Sequence, residues 1–449
     1  MYHLPVFATA FRIFFLACAV HATAAITLWL LKLRGIDVLP TNTASVYWHT
    51  YEMVFGFSRA AIFGFLFTAG QHWSGKFLLG GSSALTLFLL WTAGRFAFFL
   101  PPVAAPVAFA ADIAASLFAL WRLRPLLAPQ QKHNHSVVYL FIVYLLAQAA
   151  AILAVYVSPL GEYFMHAVRL GLVAVAFFVA IIAGRVLPFF ASVVAQGAKP
   201  RILPPLEKIV WPATLAALLS FALLPLHPQL EKLAALVFLS VAILHGIRWY
   251  FWKPLATLKI PILAILYVGY FWLALGFLLL ALSFMGWLAA SPAWHVFGIG
   301  AAGVFIFGMM TRVALGHTGR PIKAVQVGGP LGAYIPASQF DLPLDYEAFA
   351  AAGAMVGHGG IVVFDDSVDM ALQARFALAG RRHHLGDDGR VAHLGQEVVQ
   401  HDPLVAPAHD ALRFVEVRVL LVGAELRGDL VVDAVVEFEE QRLDLPDDL

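Results

Sequence analysis

The chain has 449 residues and a formal net charge of +2; 61% of its residues are apolar and only 12% are charged. Soluble globular proteins carry about 25% charged residues, so this composition excludes an ordinary soluble enzyme and indicates an integral membrane protein. The charge is unevenly distributed, because residues 1–324 hold 21 of the 29 basic side chains and only 6 of the 27 acidic ones. This asymmetry predicts a boundary near residue 324.

Ten apolar runs are long enough to cross a bilayer, since a hydrocarbon core about 30 Å thick requires roughly 20 helical residues. They are predicted at residues 8–31, 51–70, 77–94, 97–121, 136–157, 166–190, 209–226, 232–250, 261–285 and 294–315. The first run is too long for a cleavable signal peptide and has no positive region before it. The predicted fold class is an all-α polytopic membrane protein of about ten transmembrane helices, followed by a poorly specified cytoplasmic tail.

Basic residues in the loops predict the orientation of the bundle. Loops after even-numbered runs hold more Lys and Arg than loops after odd-numbered runs, and short basic loops stay in the cytoplasm. The N-terminus and the acidic tail are therefore both expected on the cytoplasmic side. The single cysteine, Cys18, excludes an internal disulfide and a cysteine-ligated cluster.

The second run carries polar residues where lipid makes them costly. His49 and Glu52 begin a helical stripe that continues through small residues, and small residues let a neighbouring helix approach closely. The stripe consists of His49, Glu52, Met53, Gly56, Ala60 and Gly64. The imidazole is suited to ligate a metal ion, with the carboxylate orienting it. The alternative is a histidine that lies near the lipid headgroups.

Three further histidines are expected at the same extracytoplasmic level. His295 is followed by Gly298 and Ala302 on a small-residue face of the tenth run. His166 starts the sixth run, and His21 lies within the first. One interpretation is that two or more of these rings converge on one metal ion. The other is that each ring has a separate structural role.

Polar residues also collect toward the predicted cytoplasmic side. His245 and Arg248 end the eighth run, His317 follows the tenth, and Arg185 precedes Pro188 in the sixth. Proline inside a helix frees a backbone carbonyl and is expected to disturb the helix. The arginines either pair with anionic groups of a cofactor or anchor helix ends at the headgroups.

Four motifs, in this order, resemble the NnrS family across nearly all of residues 1–323. They are FxxxFRxFFL at Phe7–Leu16, WHxxEMxFGF at Trp48–Phe57, GRVxPFF at Gly184–Phe190 and MxxRVxLGHTGRP at Met309–Pro321. The resemblance implies a polytopic protein of the bacterial inner membrane that contains haem and copper. It also implies a link to denitrification and to nitric oxide stress.

Carried over by position, the resemblance implies individual site residues. The implied metal ligands are His49, His245, His295 and His317. Glu52 is implied to orient a ligand or accept a proton, and the arginines implied to balance propionate or backbone charge are Arg185, Arg248 and Arg312. Two departures matter, because Tyr51 and Tyr267 stand where the family pattern has histidines.

The family's last two spans are not found after residue 323. Instead, Val325–Asp366 resembles the flavin-binding subunit of NAD-dependent formate dehydrogenases and of respiratory complex I, and the resemblance extends weakly to Arg375. The glycine-rich flavin loop is missing and no cysteine follows Cys18, so neither flavin nor an iron–sulfur cluster is expected.

The predicted organisation has three parts. Residues 1–323 form the NnrS-like transmembrane domain, and residues 324–378 form the fragment that resembles the flavoprotein subunit. Residues 379–449 form an acidic tail without a clear helical or strand period, interpreted as disordered or out of frame. The corresponding hypothesis is that a recombination, assembly or frameshift event joined this tail to a truncated membrane protein.

The expected function is that of an NnrS-like haem- and copper-binding protein that protects against nitric oxide, or a truncated and inactive form of it. Its expected partners are the lipid bilayer, haem and nitric oxide or an iron-nitrosyl species, with no nucleic acid. The alternative is a secondary transporter of a small solute or proton, because Glu52, Arg59 and Asp112 are charged residues inside apolar runs.

Overall fold

The computed structural model describes residues 5–36, 38, 45–194, 199–317, 414–426 and 429–441. Within these residues, ten helical spans are long and apolar enough to cross a membrane, which confirms the predicted fold class. The α-helices are α1 (Ala10–Leu33), α2 (Ser45–Tyr51), α3 (Arg59–Ser74), α4 (Ser82–Gly94), α5 (Ala105–Leu123), α6 (Lys132–Tyr156), α7 (Phe164–Val194), α8 (Pro204–Leu223), α9 (Glu231–Phe251), α10 (Pro261–Phe284), α11 (Ala290–His295) and α12 (Val304–His317). The largest boundary difference is at α5, because Pro101 and Pro102 interrupt the run predicted from residue 97.

Two spans change helix type part-way along their length. The second span joins α2 to α3 through a π-helical segment at Glu52–Ser58, called the first π segment. The tenth span joins α11 to α12 through a π-helical segment at Val296–Gly303, called the second π segment. Helices of this type are rare and frequently occur at functional sites, so these two spans mark the region of interest.

Side chains of neighbouring helices bond to the backbone of the first π segment. Tyr144 Oη of α6 donates to the Val54 carbonyl at 2.6 Å, and Trp91 Nε1 of α4 donates to the Gly56 carbonyl at 3.2 Å. A carbonyl within a membrane that lacks a good partner in its own helix must find another donor. The packing of α4 and α6 therefore helps to stabilise the altered backbone.

Glycines allow α10 to pack directly against the second π segment. A Cβ atom on Gly276 would lie 2.5 Å from the Phe297 ring, and a Cβ atom on Gly300 would lie 2.8 Å from the Trp272 ring. Both distances are shorter than carbon atoms tolerate, so a larger residue at either position would push the two spans apart.

The second, sixth and tenth spans lie at the centre of the bundle. Their apolar windows are 83%, 72% and 67% buried, compared with 28% and 33% for the seventh and eighth spans. The central sixth span is the long helix α7, which continues through Pro188 to Val194. The disturbance predicted at this proline therefore does not end the helix.

A second compact unit comprises residues 385–449, and the structure describes it only as a hairpin. Strand β1 (Phe414–Leu426) pairs antiparallel with β2 (Asp429–Gln441), with Phe414 opposite Gln441. The sequence analysis predicts no strand here, because it misses the alternation of Val with charged residues at 415–419. The fragment at 324–378 and the predicted boundaries around it lie outside the described residues.

Candidate functional site

His49 and His295 lie at the same end of the bundle, called the histidine end below. The His49 ring stacks on Trp29, with 4.3 Å between ring centroids. Its Nδ1 atom is buried and has no hydrogen-bond partner among the described residues. His49 and His295 are close enough to interact electrostatically. The fold thus brings together two residues that the sequence analysis predicts as ligands.

The backbone of α11 favours one tautomer of His295. Its Nδ1 atom lies 2.8 Å from the carbonyl oxygen of Ser291, one helical turn earlier. Because a carbonyl only accepts hydrogen bonds, Nδ1 carries a proton and the neutral ring keeps its lone pair on Nε2. Metal-ligating histidines commonly donate their other ring N–H to a backbone carbonyl in this way.

His166, at the start of α7, belongs to the same region. Its Nε2 atom is buried without a hydrogen-bond partner in the part of the chain that the structure describes. Its ring stacks on Phe221, with 4.4 Å between ring centroids. The Phe221 ring also contacts the Trp294 ring, with 5.3 Å between centroids. Within the described ranges, however, no three His, Cys, Asp or Glu side chains converge closely enough to hold a metal ion together.

A buried ion network begins one helical turn after His49. It consists of His21, Glu52, Arg59, Arg95 and Asp112. Arg95 Nη1 donates to Glu52 Oε2 at 2.5 Å, and both Arg95 and Arg59 pair with Oδ1 of Asp112. Two guanidinium groups therefore balance two carboxylates, as burial requires where an unpaired charge is costly.

Asp112 is the fully bonded carboxylate of the ion network. Its Oδ1 atom accepts from the two arginines, and its Oδ2 atom accepts from Tyr51 Oη and from Gln148 Nε2, each at 2.8 Å. Tyr51, at a position where the resemblance predicts a histidine, is therefore a hydrogen-bond donor to this network.

Glu52 has fewer partners than Asp112. Its Oε2 atom accepts from Arg95 and lies 3.1 Å from Nε2 of His21. Its Oε1 atom and the His21 Nε2 atom are buried and make no hydrogen bond of normal geometry to any described residue. The ion network is thus complete at one carboxylate and incomplete at the other.

Sequence reasoning identifies only part of this ion network. It notes Glu52, Arg59 and Asp112 as charges within apolar runs, but it assigns no contact to Arg95 or Gln148. One available signal is the position of Arg95, which is a basic residue in a loop predicted to be extracytoplasmic, where such residues are disfavoured.

A second, largely buried cluster lies in the other half of the bundle. We call it the Arg248 cluster, and it comprises Glu207, Thr214, His245, Arg248 and Tyr270. Arg248 donates from Nε and Nη2 to the two oxygens of Glu207, each at 2.7 Å. Its guanidinium lies 4.6 Å from the ring centroids of Trp211 and Trp252. This bidentate, stacked arrangement is the strongest that arginine makes.

Both ring nitrogens of His245 have partners in the Arg248 cluster. Nδ1 lies 2.6 Å from Tyr270 Oη, and Nε2 lies 3.1 Å from Thr214 Oγ1. The side chain is fully buried. To ligate a metal ion, His245 would have to exchange one of these hydrogen bonds.

The remaining predicted site residues have separate surroundings. Arg185 donates to Asn134 Oδ1 at 2.9 Å. Arg312 lies over the Phe190 ring, with 3.5 Å to the centroid, and its buried Nη1 atom has no hydrogen-bond partner within the described chain. His317 is exposed in the last turn of α12. The predicted cofactor arginines therefore do not share one set of contacts.

An apolar cavity of about 60 Å³ lies between α1, α3, α7 and α12. Its lining contains only apolar residues, among them Phe15, Ala61, Phe178, Ile306 and Met309. Ala61 and Ile306 belong to the first turns after the two π segments, so the cavity lies next to these segments. An apolar cavity of this kind disfavours water.

The family model described as NnrS protein matches residues 5–336. This chain belongs to the NnrS family. The match covers well over half of the chain and includes all ten spans. It supports the predicted membership and does not favour the alternative of a secondary transporter.

Short stretches of this NnrS-family chain are also similar to redox enzymes. A stretch of 60 residues is 42% identical to the HndC subunit of the NADP-reducing hydrogenase of Solidesulfovibrio fructosivorans, covering 13% of this chain and 12% of that protein. A stretch of 52 residues is 42% identical to a subunit of the NADH-quinone oxidoreductase of Rhizobium meliloti (strain 1021), covering 12% of each chain. These matches fit the flavoprotein resemblance of residues 325–375 and span a small part of either relative. No solved structure matches.

The residues at the histidine end fit a metal ion of the kind that the NnrS family suggests. His49 has a buried nitrogen without a partner among the described residues, and His295 has a lone pair on Nε2; neutral imidazole suits both copper and haem iron. The apolar cavity does not fit a porphyrin, since ligand pockets measure about 300–1,000 Å³. A haem would therefore lie beside the histidines rather than inside the cavity.

Proposed function

We propose that this protein binds haem iron or copper through His49 and His295 and acts in denitrification and in protection against nitric oxide stress. The observation that carries the proposal is the pair of available imidazole nitrogens at the histidine end. Membership of the NnrS family supports the choice of metals.

Each imidazole is prepared for this role by its own surroundings. The stacking of His49 on Trp29 restrains its ring, and the Ser291 carbonyl orients the ring of His295. Restrained ligands lose little conformational entropy when they bind. A bound iron or copper ion would supply the coordination position for nitric oxide.

The apolar cavity supports a small uncharged gas as the molecule that reaches this site. A volume of about 60 Å³ without polar lining suits an uncharged diatomic molecule better than water or an ion. Such a gas dissolves in the hydrocarbon core of the bilayer. The cavity would hold it beside the two π segments, within the membrane-spanning part of the second and tenth spans.

The protein would lie in the bacterial inner membrane, with the histidine end outside and the N-terminus and tail on the cytoplasmic side. His245 and His317 would then serve an inner metal site. Arg312, whose buried Nη1 donor has no partner among the described residues, lies toward that inner end and would suit a propionate of a haem bound there. Arg185 and Arg248 would each have to release a present partner to do the same.

Metal analysis of the detergent-purified full chain tests this proposal. Iron and copper are counted by elemental mass spectrometry, and haem is followed by its Soret band. We expect His49→Ala and His295→Ala each to lower metal occupancy at least about tenfold, since loss even of groups that only orient a ligand costs about 10- to 100-fold. His227→Ala is the matched control, because His227 is exposed in a loop. Equal metal content in all four proteins would contradict the proposal.

A further inference from the structure

We propose that the end of α5 binds the headgroup of an anionic phospholipid through Arg122 and Arg124. We call this place the Trp121 site, and it consists of Trp121, Arg122, Arg124 and the backbone carbonyl of Leu78. The site shares no residue with the proposed metal ligands or with the ion network, and it does not rest on the proposed function. Its ligand is a phosphate group that is attached to acyl chains in the bilayer.

Both arginines of the Trp121 site lie over the same indole ring. The guanidinium carbon of Arg122 lies 5.4 Å from the centre of the Trp121 ring, and that of Arg124 lies 4.7 Å from it. The electron-rich face of an indole attracts each cation, but two cations that share one ring also repel each other. A phosphate that pairs with both guanidinium groups would replace this repulsion with attraction.

A backbone contact holds the side chain of Arg122 in place. Its Nε atom donates to the carbonyl oxygen of Leu78 at 2.6 Å, in the loop that follows α3. This bond occupies Nε only, and no carboxylate pairs with Arg122 or Arg124 in the described part of the chain. The terminal nitrogens of a guanidinium form a planar fork that suits phosphate oxygens. A restrained fork also loses little conformational freedom when it binds.

The acidic residues of the membrane domain are too few and too distant to neutralise the Trp121 site. Residues 1–324 contain six acidic side chains. Three of them already pair with arginines inside the bundle, and they are Glu52, Asp112 and Glu207. The other three follow odd-numbered predicted runs, and they are Asp37, Glu162 and Glu231. Successive spans alternate in direction, so these three belong to the opposite end of the bundle from the end of α5, which follows the fourth run.

Exposed aromatic side chains indicate that the Trp121 site lies at the surface of the bilayer. Trp121 is 48% exposed, and Phe77, which precedes Leu78 in the loop, is 68% exposed. Tryptophan is enriched at the level where the hydrocarbon core meets the headgroups. Trp121 lies near the end of the fourth membrane span, which ends at Leu127. The two arginines are therefore at the depth of the lipid phosphates.

These surroundings favour a lipid headgroup over a dissolved anion. A free phosphate would pair with the guanidinium groups but would leave the exposed rings of Trp121 and Phe77 uncovered. The acyl chains of a phospholipid would cover apolar surface while the phosphate pairs with Arg122 and Arg124. Lys76, which is exposed in the same loop as Leu78, adds a third positive charge. Basic clusters of this kind at the cytoplasmic ends of membrane helices attract anionic lipids.

Native mass spectrometry of the detergent-purified, delipidated full chain tests the Trp121 site. The probes are phosphatidylglycerol, which is anionic, and phosphatidylcholine, which is not, with identical acyl chains. We expect phosphatidylglycerol to bind at least about tenfold more tightly, because each basic side chain at the surface favours an anionic headgroup. The double variant Arg122→Gln/Arg124→Gln should lose this preference and keep its affinity for phosphatidylcholine. Arg122→Lys/Arg124→Lys keeps both charges but lacks the planar fork, so it should lose part of the preference.

Arg201→Gln/Lys208→Gln is the matched control, because it removes two exposed positive charges that follow another even-numbered span. It should leave the preference for phosphatidylglycerol unchanged. An equal loss in this control would show that only the overall charge matters and would overturn the proposal. So would the absence of any preference in the unmodified chain, as expected if its own acidic tail neutralised the arginines. Inorganic phosphate that binds as tightly as phosphatidylglycerol would assign the site to a dissolved anion instead. If the glutamine variant does not fold, the lysine variant decides, and an unchanged preference there would overturn the role of the two guanidinium groups.

Discussion

The ion network and the Arg248 cluster are both groups of charges within the helical bundle, but they differ in how completely their atoms are bonded. In the Arg248 cluster, both oxygens of Glu207 accept from Arg248, and both ring nitrogens of His245 have partners. In the ion network, Glu52 Oε1 and His21 Nε2 lack normal hydrogen bonds to described residues. A satisfied network makes a structure rigid, whereas an unsatisfied buried group requires a separate explanation. The Arg248 cluster is therefore fully bonded as it stands, whereas the ion network keeps unsatisfied polar atoms at Glu52 and His21.

The largest expected effect is a loss of stability on removal of Asp112, the fully bonded carboxylate of the ion network. Asp112→Ala leaves Arg59 and Arg95 without their shared partner, and breaking a buried ion pair costs about 3–5 kcal/mol. Glu52→Gln also removes an ion pair with Arg95, but Arg95 keeps Asp112 as its partner and the amide oxygen can still accept from it, so the loss should be smaller, about 1–3 kcal/mol. Thermal unfolding in detergent compares the two variants. Equal losses would mean that the two carboxylates do not differ as described.

A smaller loss is expected where a glycine makes room for the Arg248 cluster. A Cβ atom at Gly184 would overlap the guanidinium of Arg248, so Gly184→Ala should destabilise the protein by about 1–3 kcal/mol. Gly246→Ala is the control, because nothing described lies within 4 Å of its Cβ position in α9. There alanine should stabilise the helix by up to about 1 kcal/mol. A neutral Gly184→Ala variant would contradict the close packing described here.

Tyr270→Phe should lower the stability still less. It tests whether a change in the Arg248 cluster affects the other half of the bundle. It removes the hydroxyl that contacts His245 and Arg248, and a lost hydrogen bond costs about 1 kcal/mol. Metal occupancy at the histidine end should stay unchanged. A change in metal content, measured on the same purified sample, would show that the two halves of the bundle are coupled.

The smallest effect is expected at the apolar cavity, which contrasts with both charged clusters. Xenon applied to crystals of the full chain should bind beside Phe15, Phe178 and Met309. Ala61→Leu should abolish the xenon density without changing the metal content. A lipid chain or ordered water at this place would contradict the assignment to a small apolar gas.

The sequence was sufficient to predict the ten spans, because each is a long apolar run and the bilayer sets its length. It also predicted that His49 and His295 share one level of the bundle, since both begin even-numbered spans. It could not predict the two π segments, whose backbone depends on donors such as Trp91 from other helices. The pairing of Arg95 with Glu52 and Asp112 could not be predicted either, because helix order alone does not determine which spans are neighbours.

The most direct test of the central claim is X-ray absorption spectroscopy at the metal edge of the purified protein, which counts imidazole ligands. We predict two histidine nitrogens on one metal ion in the unmodified chain and one fewer in His49→Ala or His295→Ala, with no change in His227→Ala. A metal ion whose imidazole count is the same in all four proteins would contradict the assignment of His49 and His295.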